Sequence, residues 1–518
     1  MREFTALFPF GGSGGGALGF AQARAAAHGL QGRFRILGGL DFDAIACADF
    51  ERFTGAPSWC VDVEDVTPED LRERYGATAP DVVFMSPPCK GSSRLLSSKK
   101  AATDKYRRMN RLAVVWTRVM LQAWAEPPAL VLLENVPGMP ARAAGMLEEL
   151  RHVLAEAGYV FHESDHDCGV LGGLAQHRRR YLLVARHAAT CPPLLYQPPA
   201  RRVRGVGEVL EQLPMPATQA AAEWGPLHTM PRLSWRNWLR LALVPAGGDW
   251  RDLAGVLEGR ARREVFRRHA VQEWSEPHPA VTGPGGHSVE AVADPRVAVP
   301  ARTWGGGDLG VTEWDQPSAT IAGESMPRNG RFSVADPRGL GFGSRQAGRT
   351  RAEQRPAWYG VLAWDESARA IAGTVQVGTG SYAVADARTG WAEGVRMLTL
   401  DEAMGLDLDP AKPPPFTPVI IAEDGTWHRP MTLLELSAIQ SYPVTIGGAP
   451  IPWSGTRTQT AEHIGNSVPP AAARAIAQQM LETLLTAAAD GWSLAGGDTP
   501  VWVEPAEVAH ACGVSRER

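Results

Sequence analysis

Cys89 stands in the segment PDVVFMSPPCKGSS, at the end of an apolar run and directly after Pro87 and Pro88. A cysteine delivered to the carboxyl end of a strand sits where open α/β sheets place their active sites, and as a thiolate it is a nucleophile. A cysteine in such a run is otherwise a small buried hydrophobe. The next apolar run, ALVLLENV, ends in Glu134-Asn135-Val136. A thiol and a carboxyl at adjacent strand ends make a nucleophile and acid pair. Gln176-His-Arg178-Arg-Arg180 then leads into YLLVA. Residues two apart in a strand share a face, so Arg178 and Arg180 are expected to point into one pocket.

A second set of residues suits a nucleoside-containing cofactor. The run TALFPF passes straight into GGSGGGALGF, where Gly14, Gly16 and Gly19 satisfy GxGxxG between a strand and a helix. Glycines let the backbone approach a ligand closely, and a helix N-terminus favours negative charge. The following run ends in Asp41-Phe42-Asp43, where an acid suits the hydroxyls of a ribose, and the next ends near Asp62-Val63. Ordinary turn glycines would leave that acid without a reason.

These residues need a scaffold that brings strand ends together. Over residues 1–189, FTALFPF, RILGGL, PDVVFMS, ALVLLENV and RYLLVAR alternate with amphipathic stretches such as NRLAVVWTRVMLQAWAE and AAGMLEELRHVLAEAG. That alternation predicts an α/β, doubly wound, mostly parallel Rossmann-like sheet. Residues 190–425 are rich in Pro, Gly and Trp and carry a three-fold repeat. Trp274, Trp314 and Trp364 each lead to a Val- or Ile-x-Gly step (Gly283, Gly323, Gly373) and then to Val-Ala-Asp (Asp294, Asp336, Asp386). Each unit reads as a short strand, a Gly-rich turn and a second strand, so this region is expected to be β-rich. Its tryptophans are packing anchors or contacts to a partner surface. Residues 426–490 return to helical patterns, MTLLELSAIQSYP and AARAIAQQMLETLLTAAAD, and 491–518 form a tail of unassigned role.

In order, these segments resemble the cytosine-5 DNA methyltransferases. The resemblance rests on F-x-G-x-G-G (Phe10, Gly12, Gly14, Gly15), Pro88-Cys89, Glu134-Asn135-Val136 and Q-x-R-x-R (Gln176, Arg178, Arg180). It continues through Arg429, Thr432, Glu435, Gln440 and Pro443, then Gly465-Asn466 with Val468-Pro469. It implies a class I methyltransferase fold, S-adenosyl-L-methionine as cofactor, double-stranded DNA as partner, and 190–425 as the target-recognition region. It further implies that the target cytosine is flipped out of the duplex and that Cys89 adds to C6. Glu134 would bond N3 and the exocyclic amine, Arg180 the base O2, and Arg178 the pocket and adjacent backbone. Asp41 would bind the ribose, Phe42 stack on adenine, Asp62 and Val63 meet the adenine edge, and Asn466 lie near the methionine end.

The chain departs from the family in three places. Pro9 replaces the usual Asp before Phe10, and Arg396-Met-Leu-Thr-Leu-Asp-Glu402 is a near-copy that lacks the later Gln and Pro. Lys90 replaces the usual Gln after Cys89. It stands with Lys99, Lys100 and Lys105 in a chain holding five lysines and 47 arginines. Lys90 suits a contact to DNA phosphate; the alternative is that it selects a cofactor carrying an anionic group to be transferred. A tRNA methyltransferase has a smaller recognition region, and an inactive DNA-binding regulator has no reason to keep Cys89, Glu134, Arg178 and Arg180.

Composition sets outer bounds. The six cysteines form no CxxC pair, which argues against structural zinc and a disulfide framework. The net charge of −4 does not advertise nucleic-acid binding, though it can hide a basic stripe. No secretory or membrane-spanning pattern is present, so a cytoplasmic protein is expected; the resemblance adds a bacterial or phage-infected cell, and a monomer is expected. A cognate restriction enzyme is the possible partner, and no metal is expected.

Overall fold

A computed structural model describes residues 1–88, 104–192, 198–244, 392–422 and 427–489, with short strands at 271–273, 291–293, 310–312, 318–321, 331–334 and 370–371. Cys89, Lys90, Lys99, Lys100, the repeat tryptophans with their Asp residues, and the tail after 490 lie outside the described residues.

The first half folds as alternating strands and helices. They are β1 (Arg2–Pro9), α1 (Gly15–Gln22), β2 (Arg24–Ala27), β3 (Leu30–Asp41), α2 (Ala44–Thr54), β4 (Ser58–Cys60), α3 (Pro68–Tyr75) and β5 (Val82–Met85). Then follow α4 (Asp104–Ala123), β6 (Leu130–Asn135), α5 (Ala144–Glu156), β7 (Tyr159–Asp167), α6 (Cys168–Gly172), β8 (Gln176–His177) and β9 (Arg179–His187). Across the sheet the strands run β3-β1-β5-β6-β9-β7, with β4 and β2 both on the outer side of β3. The pairs β3/β4, β1/β3, β1/β5 and β5/β6 are parallel, whereas β9 is antiparallel to both β6 and β7. The expected doubly wound, mostly parallel α/β sheet is therefore present, with a closing antiparallel hairpin.

Strand alternation splits the apolar residues into two layers. Phe8, Phe84, Leu132 and Leu182 face α1 and the long C-terminal helix, while Leu7, Val83, Leu133 and Leu183 face α4 and α5. Each fully buried Leu or Phe in these layers contributes about 1.5–3 kcal/mol. The central strands are thus covered on both sides, and the polar side chains of β6 and β9 lie at their ends.

The C-terminal elements α7 (Leu433–Ile439), α8 (Arg457–Asn466) and α9 (Pro470–Ala488) return to this sheet. Pro470 opens α9, where the missing N–H costs nothing. A Cβ on Gly19 would stand 2.4 Å from the Pro470 carbonyl, so α1 and α9 touch backbone to backbone. At the start of α7, Thr432 and Glu435 form a capping box, and Arg429 makes a buried two-point ion pair with Glu435 at 2.7 and 2.9 Å. The family-like R-x-x-T-x-x-E spacing is thus a helix-starting device.

Within 190–425 the second repeat contributes strands at 318–321 and 331–334. The first pairs in parallel with 370–371 of the third repeat and with β8, and the second pairs in parallel with 310–312. Among the described residues, no helix is long and apolar enough to cross a membrane, and no group of three His, Cys, Asp or Glu could hold a metal ion.

Candidate active site

Glu134 and Arg180 meet where β6 and β9 end. Both are 7% exposed, and Arg180 Nε lies 3.0 Å from Glu134 Oε1. The other carboxylate oxygen, Oε2, accepts a hydrogen bond from the Ser86 hydroxyl at 2.9 Å. Oε1 faces Arg180 as an ion pair but has no aligned hydrogen bond among the described residues, so it keeps acceptor capacity. Asn135 donates through Nδ2 to the Pro87 carbonyl at 2.9 Å and accepts from the Val136 amide through Oδ1. The polar end of β6 therefore ties down Pro87, two residues before Cys89. Ser86 was not singled out from sequence, because a serine before two prolines reads only as a strand terminator.

Strand alternation, on which the two-apart expectation rests, does not run through Arg178. The strand breaks between β8 and β9 at Arg178, whose amide donates to Asp167 Oδ1 at 2.8 Å. Its buried guanidinium instead donates to the carbonyls of Gly465 at 3.0 Å and Ser467 at 2.9 Å. Gln440 also donates to the Ser467 carbonyl, at 2.8 Å, and Gln176 donates to Gln440. A Cβ on Gly15 would lie 2.2 Å from Ser467 Oγ and 2.3 Å from the Val468 carbonyl. The Gly-rich loop, Q-x-R and G-N-x-V-P segments thus interlock around one residue, Ser467. Gly15→Ala should destabilise the fold by about 1–3 kcal/mol, because backbone must yield. Thermal melting checks this; an unchanged melting temperature would show that the loops pack more loosely.

The cofactor-side candidates gather at the ends of β1 and β3. Phe10 and Gly12 adopt positive φ of 55° and 50°, and Gly14 of 81°, so the loop curls back on itself. The Gly12 amide donates to Asp41 Oδ2 at 2.9 Å, and Asp43 donates to Oδ1 at 3.1 Å. Burial pushes the Asp41 carboxyl up, against the pull of those two amides. Beside it Phe42 is 72% exposed, an unusual state for a phenyl ring. Asp62 is exposed, capping a short turn by accepting from the Glu64 amide, whereas Val63 is buried. Asn466 is exposed at the end of α8.

His463 joins these two regions, a contact invisible in sequence because its partners lie some 400 residues away. Its Nε2 is 3.2 Å from Asp43 Oδ2, and its Nδ1 is 3.8 Å from the buried Asp49. Burial pushes the imidazole down, but Asp49 and Asp43 outweigh it and hold His463 above its ordinary 6.5. Burial likewise raises Asp43, yet the Ala46 amide and His463 hold it below the usual range. A raised histidine stabilises fully below its unfolded value and loses that contribution as pH rises through the folded one. A lowered aspartate loses its contribution as pH falls through its folded value. The stability advantage of the wild type over His463→Gln should therefore shrink at both alkaline and acid pH, as thermal melts across pH would register. A constant difference would mean the link carries no charge.

Residues 7–201 match the family model described as C-5 cytosine-specific DNA methylase. The chain carries a C-5 cytosine-specific DNA methylase domain. The Type II methyltransferase M.XorII of Xanthomonas oryzae pv. oryzae is 28% identical over 216 residues, 40% of this chain and 45% of that protein. M1.BsuMI of Bacillus subtilis, also a Type II methyltransferase, is 31% identical over 120 residues, 23% of this chain and 26% of that one. The chain thus spans less than half the length of the curated relatives it matches. A solved Entamoeba histolytica methyltransferase superposes with a TM-score of 0.44 and 11% identity, covering 95% of this chain and all of that one.

The matched stretch of the methylase domain contains Cys89, Glu134, Arg178 and Arg180. Gln440, Gly465 and Ser467 lie outside it, yet their atoms complete the packing around Gln176 and Arg178. Chain from beyond residue 426 therefore packs directly against the matched stretch.

Proposed function

We propose that the protein is a DNA (cytosine-5-)-methyltransferase that flips its target cytosine from the duplex and methylates C5. The observation that carries this reading is the buried Glu134–Arg180 pair, with Ser86 bonded to Glu134, at the strand ends beside Pro87 and Pro88. Cys89 follows them in sequence. Its thiolate would add to C6, forming the S–C6 bond while the C5–C6 π pair moves toward C5. Glu134, through the oxygen still able to accept, would hold the N3 and amine edge, and Arg180 the O2 end, where negative charge develops. A base would then take the C5 proton as the S–C6 bond breaks.

S-adenosyl-L-methionine, when bound, supplies the electrophilic methyl group that C5 receives. The residues present fit it: an exposed aromatic ring beside a strand-end carboxylate, and open space where Gly12 has no side chain. Asp41 and Phe42, with Asp62 and Val63, would hold the nucleoside, Phe10, Gly12, Gly14, Gly15 and Pro88 would shape the near wall, and Asn466 the methionine end. Phe42→Ala should weaken cofactor affinity by up to about tenfold, the worth of one stacked ring. Calorimetric titration with the cofactor checks it, and unchanged affinity would place adenine elsewhere.

Arg178 would act through the Gly465–Ser467 loop. Residues 190–425 would read the DNA, and the Type II names of both relatives favour a modification role. Labelled S-adenosylmethionine offered with duplex DNA or tRNA tests the substrate class. Label in DNA supports the reading, and label in tRNA alone would replace it.

A further inference from the structure

Three neighbouring strands deliver polar residues to one spot. The register sets Glu134 of β6 opposite Leu182 of β9, and Arg180 of β9 opposite His166 of β7. Leu182 and Arg180, two apart, share a face, so Glu134, Arg180 and His166 rise from the same face of the sheet. Directly opposed residues in antiparallel strands hold their Cβ atoms about 4.5–5.5 Å apart. The three therefore form a row, with Arg180 in the middle.

Two atoms in that row, Glu134 Oε1 beyond its ion pair with Arg180 and His166 Nε2, lack a hydrogen bond among the described residues. His166 is 8% exposed, and among the described residues its Nε2 has no hydrogen bond; Glu134 Oε1 is in the same condition. Leaving a buried polar atom unsatisfied is destabilising. Two of them flanking one guanidinium mark a place where a polar ligand completes the set. Burial pushes His166 down to about 4, with Asp167 opposing and Arg180 assisting. The imidazole is thus neutral near pH 7 and offers one N–H and one lone pair.

We propose that His166 is a further base-pocket residue, whose Nε2–H donates to O2 of the flipped cytosine beside Arg180. This rests on the methyltransferase reading above. The order Glu134, Arg180, His166 follows the base edge, with the amine and N3 at one end and the carbonyl oxygen at the other. A second donor at O2 would share the charge that develops when the thiolate adds to C6.

The test is a cycle between His166 and that oxygen. Single-turnover methylation is measured on duplexes whose target is cytosine or 2-thiocytosine, using wild type, His166→Phe and His166→Gln. Sulfur is a weak acceptor, so the thio substitution should slow wild type by about tenfold or more. His166→Phe should be about 10²-fold slower on cytosine, with DNA affinity held, and should show a clearly smaller thio penalty. His166→Gln, which keeps an N–H donor, should recover part of both. Should His166→Phe melt early, the Gln variant alone carries the cycle, its thio penalty expected to lie below the wild-type value. Equal thio penalties in wild type and variant would overturn this inference alone. No methylation of DNA by wild type would overturn the underlying reading, and this inference with it.

Discussion

Glu134→Gln should lower the methylation rate about 10²–10³-fold, some 2.7–4 kcal/mol, while DNA affinity changes little. The substitution preserves shape, so the loss is one of charge and hydrogen-bond direction. Glu134 is buried, with Ser86 on one oxygen and Arg180 beside the other. A carboxylate so placed accepts from a base amine and from N3 as it becomes protonated. An amide offers one acceptor and turns its NH2 either on Ser86 or on Arg180. Removing the charge also leaves Arg180 buried with no countercharge at that distance, a change that generally destabilises by several kcal/mol. Melting curves must therefore accompany the rates. Single-turnover kinetics with a duplex of known target would give the value, and a loss under about threefold would show that Glu134 serves the fold rather than the reaction.

Cys89→Ala should abolish turnover and, with it, covalent capture of DNA. In the proposed sequence C5 must lose a proton before the thiolate can leave. A duplex with 5-fluorocytosine at the target has no such proton, so the S–C6 bond persists and a protein–DNA adduct survives denaturation. Wild type should form that adduct with S-adenosylmethionine present, and Cys89→Ala should form none. Asn135, bonded to the Pro87 carbonyl, places the preceding Pro87-Pro88 segment, and removal of the sulfur leaves that bond untouched. An adduct with the variant would assign the nucleophile elsewhere.

The parts of the site that sequence revealed are those where a polar residue interrupts a regular pattern. Glu134-Asn135 ends a run of wholly buried apolar residues, and the Gly-rich loop breaks β1 from α1. Arg429, Thr432 and Glu435 were legible as a spacing, but their meaning is physical: a capping box plus a buried ion pair. The near-copy at Arg396 shares the capping box of Thr399 and Glu402, while Arg396 turns over the Phe416 ring instead. Helix-start chemistry alone accounts for the likeness. The two-apart argument for Arg178 assumes strand alternation through a residue at which the strand breaks. β7, reading YVFHESDHD, carries too few apolar residues to announce a strand, so His166 went unseen beside Arg180. His463 depends on partners brought together only by the return of α8 to the sheet.

Nucleoside mass spectrometry of duplex DNA, after incubation with the protein and S-adenosylmethionine, tests the central claim most directly. The account predicts 5-methyl-2′-deoxycytidine with wild type and none with Cys89→Ala. Wild-type protein that leaves cytosine unmodified across DNA of varied sequence would contradict it.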